Sequence, residues 1–181
     1  MIKYISFLRG INVAGKNKIL MADLKLLYQK LNFNNVITYI QSGNVIFETD
    51  SRKHSNDIQA EIKTAIAKKI NLEVPVIVRT KNELQNILSF NPFVRLKNLD
   101  TKSLYVTLLN ELPSKENISA LNIIDYKPDQ FEIKGKDIFI FCKMKYGKTK
   151  LSNNFFEKIL KVSATTRNWK TINKLYELMR N

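Results

Sequence analysis

The sequence predicts an α+β protein made of two similar halves packed into one compact body. Three observations lead there. Residues 3–79 read in the order β-α-β-β-α-β, which is the ferredoxin-like unit, so the class is a duplicated ferredoxin-like fold. The same order begins again near residue 104. The strands are apolar on both faces, with Ile5 and Phe7 against Tyr4 and Leu8, and Phe139 and Phe141 against Ile138 and Ile140. Helices on one face of a sheet leave the other apolar face in need of a cover.

Each element has a local reason. Residues 3–8 (KYISFL) are a buried strand, and Leu24, Leu27, Tyr28 and Leu31 put one apolar face on a helix over about 21–31. Residues 35–40 and 44–49 are β-rich and joined by Gln41-Ser42-Gly43, which predicts a hairpin. Ile58, Ile62, Ala65, Ile66 and Ile70 line a helix over 54–70, and 75–79 (PVIVR) is a strand opened by Pro75. Thr80-Lys81-Asn82-Glu83 is a capping box for a short helix that ends before Pro92. Residues 91–103 join an N-terminal half, 1–90, to a C-terminal half, 104–181. That second half reads as strand 104–109, helix about 114–122, strand 130–134, a Gly135-Lys136 turn, strand 137–142 and helix about 153–161. It is expected to finish in a helix over 168–179, with Trp169, Ile172, Leu175, Tyr176 and Met179 inward, where a last strand would otherwise stand.

Bulk properties narrow the function. The 181 residues are 44% apolar and contain no apolar run long enough to cross a membrane, so no membrane partner is expected. Arg9 and Gly10 break the N-terminal apolar stretch too soon for a signal peptide, and the expectation is a cytoplasmic protein. A single cysteine, Cys142, excludes an internal disulfide and a cysteine-based zinc site. The net charge of +14 points to a polyanion, nucleotide or nucleic acid. Of 30 basic residues only 6 are Arg, and 20 Asn and 21 Ile accompany 24 Lys, so A/T-rich codons also account for part of the balance. Distribution argues the other way. Residues 143–174 hold nine Lys/Arg against Glu157 alone, +8 of the total, and codon bias spreads lysine evenly.

Three motifs adjoin expected helix starts. Arg9-Gly10-Ile11-Asn12-Val13-Ala14-Gly15-Lys16-Asn17-Lys18 holds the G-x-x-x-x-G-K of a phosphate loop. Asn17 lacks the hydroxyl that would hold magnesium, and no strand ends in a metal-holding Asp, since "VIFETD" offers only Glu48 and Asp50. The expectation is a turn with an anion site at Arg9, Asn12, Lys16 and Lys18. Gln41-Ser42-Gly43-Asn44 reads as hairpin chemistry. Gly147-Lys148-Thr149-Lys150 echoes Gly15-Lys16-Asn17-Lys18, and Thr165-Thr166-Arg167-Asn168 runs into the last helix. Helix N-termini attract anions, so Lys148, Lys150, Thr165, Thr166, Arg167 and Asn168 are expected to form a second anion site.

These stretches resemble the uncharacterised bacterial family known as domain of unknown function 1697. "LRGINVAGKNK", "TYIQSGNVIF", "GKTKLSNNFFEK" and "ATTRNWKTI" stand in the family's order and approximate spacing, over nearly the whole chain. The resemblance implies a duplicated ferredoxin-like fold. It implies no activity, substrate or catalytic residue.

No catalytic set assembles from the sequence. His54 sits among Lys and Ser at a helix start and reads as a surface residue. Cys142 ends an apolar strand and reads as core, with a reactive thiol as the alternative because Lys143 and Lys145 are near. No metal cluster is seen and no cofactor is expected. Tyr4, Phe7 and Phe47 are candidate base-stacking platforms, without the RNA-binding strand signature. The leading expectation is a binding module for a phosphate-bearing ligand, nucleic acid among them. The alternatives are an enzyme acting on a phosphorylated small molecule and a structural or interaction protein. The sequence assigns neither an enzymatic reaction nor an oligomeric state.

Overall fold

The computed structural model describes residues 1–13, 15–50, 54–96, 99–121, 125–143 and 146–180. Ala14 of the first glycine loop, Asn122 of the expected fourth helix, residues 97 and 98 of the connector, and Lys145 lie outside them. The strands are β1 Ile2–Leu8, β2 Asn34–Tyr39, β3 Asn44–Thr49, β4 Val76–Thr80, β5 Leu104–Leu109, β6 Gln130–Lys134, β7 Asp137–Phe141 and β8 Ala164–Asn168. The helices are α1 Met21–Lys30, α2 Ser55–Ile70, α3 Lys81–Phe90, α4 Lys115–Leu121, α5 Asn153–Leu160 and α6 Trp169–Arg180. They form two four-stranded antiparallel sheets, ordered β2-β3-β1-β4 and β6-β7-β5-β8. The chain divides into unit 1, Met1–Gln85 with Leu175–Asn181, and unit 2, Asn86–Lys174. No helix among the described residues is long and apolar enough to cross a membrane.

In unit 1 the helical period brings Leu24, Leu27 and Tyr28 of α1, and Ile58, Ile62 and Ile66 of α2, onto one face of the sheet. They meet Tyr4, Leu8, Val45, Phe47, Val76 and Val78, the alternate residues of β1, β3 and β4. Burying one such aliphatic side chain is worth about 1.5–3 kcal/mol. The buried Tyr28 hydroxyl needs a partner in this apolar setting, and the Ser6 hydroxyl lies 2.7 Å away. Thr80 and Glu83 form the reciprocal capping box that the sequence predicts. The Thr80 N–H reaches Glu83 Oε2 at 2.8 Å and the Glu83 N–H reaches Thr80 Oγ1 at 3.2 Å. At the C-terminal end of α2, Asn71 takes the left-handed conformation that stops that helix.

Unit 2 repeats the plan. Ile138, Ile140 and Cys142 on the β7 side, Leu109 of β5 and Ala164 of β8 form one core with Leu121, Phe156 and Leu160. The expectation that this half has no clear last strand is corrected. β8 pairs with β5 over five residues, from Tyr105 opposite Asn168 to Leu109 opposite Ala164. Thr-Thr-Arg-Asn reads in sequence as a polar helix start. It is a strand because the β-branched threonines fit the pleat and Arg167, although charged, is only 8% exposed. Asn168 ends the strand and caps α6, its Oδ1 accepting the Thr171 N–H at 2.7 Å.

Both halves therefore carry the same seven elements, β-α-β-β-α-β-α. The registers align them residue by residue. Tyr4 faces Thr80 and Tyr105 faces Asn168; Ser6 faces Val78 and Thr107 faces Thr166; Ile5 faces Arg79 and Val106 faces Arg167. Arg79, like Arg167, is buried. The duplication rests on these strands. The Gly-Lys echo noted in the sequence is not an equivalence, because Gly15-Lys16 lies between β1 and α1 and Gly147-Lys148 lies between β7 and α5.

Candidate functional site

In unit 1 the glycine loop between β1 and α1 closes on itself. The Asn12 N–H donates to the Asn17 carbonyl at 3.1 Å and the Lys16 N–H to the Val13 carbonyl at 2.9 Å. The Asn17 amide donates to the Gly10 carbonyl at 3.0 Å. A phosphate loop turns its backbone N–H groups toward the ligand, and here Asn12 and Lys16 spend theirs on carbonyls of the loop itself. α1 begins only at Met21, so the loop does not open directly onto a helix N-terminus. Asn12 is a clamp. Its Nδ2 donates to the carbonyls of Ile19 and Gln41 at 3.0 and 2.9 Å, and its Oδ1 accepts the Ile19 N–H at 2.9 Å. Lys16 and Lys18 are exposed, and the Arg9 N–H donates to the Pro75 carbonyl.

The bond from Asn12 to Gln41 brings the first two motifs together at one end of sheet 1. Gly43 turns with φ +73° and lies against Leu8 and Ile11, where a Cβ would stand 2.7 Å from Leu8 Cβ. The Leu8 N–H closes the contact on the Gly43 carbonyl at 2.8 Å. Asn44 is fully buried, its amide donating to the Tyr39 carbonyl and to Ser42 Oγ. These residues hold the two loops together, which is the hairpin chemistry expected of them. Tyr4, Phe7 and Phe47 are buried, so the expected stacking platforms are core residues.

In unit 2, Lys143, Thr149 and Ser152 are tied down by hydrogen bonds ahead of α5. Asp129 accepts the Thr149 hydroxyl at 2.5 Å and the Lys143 N–H at 2.9 Å. Ser152 caps α5 by accepting the Phe155 N–H. A hydroxyl chain then joins the start of α5 to the sheet: Thr107 and Thr166 lie 2.6 Å apart, and Thr166 donates to Asn153 Oδ1 at 2.6 Å. Lys148 and Lys150 stay exposed on the turn before α5. Tyr146, on the 3-10 turn Tyr146–Lys148, stacks on Tyr105 with ring centroids 4.6 Å apart and planes at 29°. Its hydroxyl is buried beside Thr166, and burial pushes both phenols above their ordinary values. Cys142 is fully buried, and burial, aided by Asp129, pushes its thiol up to about 11, which removes the reactive-thiol alternative.

The residues expected to form a second anion site are divided between the turn before α5 and the two faces of β8. Lys148 and Lys150 stand on the turn before α5, Thr166 reaches Asn153 at the start of α5, and Asn168 ends β8. Thr165 and Arg167 alternate to the other face of the strand. There the Arg167 guanidinium donates from Nη1 to Thr165 Oγ1 at 2.8 Å and to the Thr166 carbonyl at 2.9 Å. Loss of water pulls its pKa down to about 10. Arg167 is thus buried with its Nη1 bonded within its own strand. Sequence reasoning missed Tyr105 and Tyr146. The signal was present, since Tyr105 repeats Tyr4 at the start of its half and Tyr146 stands between Lys143 and Lys148.

A family profile described as "Protein of unknown function (DUF1697)" matches residues 1–139. The chain belongs to the DUF1697 family. The match includes the β1–α1 loop and the β2–β3 turn, and the lysines of the α5 region lie beyond it. Among solved structures, that titled "The structure of conserved bacterial protein SP0830 from Streptococcus pneumoniae" matches with a TM-score of 0.73 at 22% identity, over 97% of each chain. At that identity the likeness establishes the fold of this DUF1697 chain and nothing about a ligand. No curated protein matches it.

Proposed function

We propose that the protein is a binding module for phosphate-bearing polyanions, that its ligand is nucleic acid, and that residues 143–174 of unit 2 make the contact. One observation carries this reading. Every lysine of that segment whose burial is described is exposed, and its only acid, Glu157, turns its Oε1 to the Ala164 N–H at 2.9 Å. Lys170 and Lys174 stand one turn apart on α6, and Lys158 and Lys161 lie at the end of α5. The buried Arg167 adds to the charge of the segment without reaching solvent. Surface lysines are mobile point charges with no bidentate geometry, suited to a phosphate backbone and indifferent to base sequence.

The test is the salt dependence of oligonucleotide binding, read by fluorescence anisotropy. Neutralising four to seven phosphates of a single strand gives a log–log slope of about −3 to −5. Reversing Lys148, Lys150, Lys170 and Lys174 to Glu is expected to weaken binding at least about tenfold at low salt. No binding by the natural chain at about 50 mM salt, or equal binding by a folded charge-reversed variant, overturns the reading. Binding by the natural chain that ignores salt overturns it as well.

A further inference from the structure

We infer that unit 2 is built for single-stranded nucleic acid, with the stacked Tyr105–Tyr146 pair as a platform for bases beside the lysines. The inference rests on the polyanion reading, because the lysines supply the backbone contact. Its own ground is a difference between the two halves. Tyr4 and Tyr105 hold the same place, opposite the last residue of the fourth strand of each half. Tyr4 is 4% exposed and sealed into an aromatic core with Phe47, whose ring lies 5.9 Å away. Tyr105 is only half-buried, and its ring is stacked instead on another half-buried ring, Tyr146. The second half thus leaves partly exposed, at the edge of its core, an aromatic position that the first half keeps inside.

Its surroundings are those of a strand-binding platform. Tyr146 stands two residues before the exposed Lys148, with Lys143 and Lys150 exposed on either side of the same turn. Asn168, exposed, lies opposite Tyr105 in the register. The Tyr146 hydroxyl is buried and its ring is packed against the core and Tyr105, so it enters a complex with little rotamer freedom to lose. Every base has a π face, so stacking on such a pair is tolerant of sequence, as the lysine contacts are. A duplex keeps its bases inside, and the platform then has nothing to hold.

The test compares three probes of equal length, about 20 nucleotides, at one low salt concentration: oligothymidine, an abasic strand with the same phosphates, and a duplex. Oligothymidine is expected to bind about 5- to 150-fold more tightly than the abasic strand, the equivalent of stacking one base at about 1–3 kcal/mol. Tyr146→Leu and Tyr105→Leu are expected to reduce oligothymidine binding toward the abasic level and to leave abasic binding unchanged. Tyr146→Phe, which keeps the ring, is expected to retain the preference. Equal binding of oligothymidine and the abasic strand by the natural chain overturns the inference, and this result needs no variant. So does unchanged oligothymidine binding by both leucine variants with intact melting transitions. So does duplex bound as tightly as the single strand. In each case salt-sensitive binding survives and the polyanion reading stands. If none of the three probes binds, both fall.

Discussion

Gly43 and Gly15 both turn with positive φ, and their surroundings separate them. A side chain at Gly15 (φ +78°) meets nothing within 4 Å, so Gly15→Ala carries only the left-handed strain, about 1–2 kcal/mol. At Gly43 (φ +73°) a Cβ would stand 2.7 Å from both Leu8 Cβ and Ile11 Cδ1, so overpacking adds about 1–3 kcal/mol to the same strain. Gly43→Ala is therefore expected to lower the melting temperature well beyond Gly15→Ala; equal losses would refute the close approach of the two loops. Arg167 makes a second residue-scale case. Removing its guanidinium leaves the buried Thr165 hydroxyl without that donor and opens a cavity, so Arg167→Ala is expected to destabilise by about 2–4 kcal/mol. Oligonucleotide affinity measured well below the melting temperature should stay close to that of the natural chain. Lost affinity with an unchanged melt would return Arg167 to the ligand.

The strands and helices show why the two halves solve one problem differently. Ser6 and Thr107 are the same buried hydroxyl position on the first strand of each half. In unit 1 the residue opposite is Val78, and Ser6 turns to the Tyr28 hydroxyl. In unit 2 the residue opposite is Thr166, which links Thr107 to Asn153 at the start of α5. Thr166→Val is expected to cost about 1–3 kcal/mol, because the Thr107 hydroxyl is fully buried. Thr107→Val/Thr166→Val, which removes both hydroxyls, should recover part of that loss in a double-mutant cycle; purely additive losses would mean the chain of hydroxyls is not cooperative. Legibility followed the same chemistry. Apolar period and turn residues made α1, α2, the two hairpins and the Thr80–Glu83 box readable, since each depends on neighbours in sequence. β8 was not readable, because a buried Arg flanked by Thr and Asn looks like surface until β5 lies beside it. Asn12 was picked out as polar but read as a ligand contact, because nothing in the sequence shows that Gln41 comes to meet it. Lys148 and Lys150 were legible as surface charge, and the ring pair beside them was not, since stacking joins strand β5 to a turn some forty residues on.

For the whole chain the charge sets two effects of salt with opposite signs. A net charge of +14 repels itself in the folded state, and in residues 143–174 the repulsion is densest, with +8. Raising salt from about 0.01 to 0.15 M shortens the screening length from about 30 to about 8 Å, so repulsion between lysines across the surface fades. The unfolded chain spreads the same charge over a larger volume and gains less. The melting temperature of the free protein is therefore expected to rise over that range. Oligonucleotide affinity should fall over the same range, because each counterion released on binding gains less entropy as the bulk salt rises. The pairing of signs tests more than either arm. A compact protein whose lysines are balanced by nearby acids would show neither a rising melt nor a falling affinity. Replacing Lys170 and Lys174 with Gln, on the exposed face of α6, should move both arms together: a higher melting temperature at low salt, with weaker binding and a shallower salt slope. A variant that melts as the natural chain does yet binds less tightly would assign these lysines to the ligand and not to the repulsion. A melting temperature that falls as salt is added to the natural chain would show that attractive ion pairs, not net charge, dominate the electrostatics of the fold.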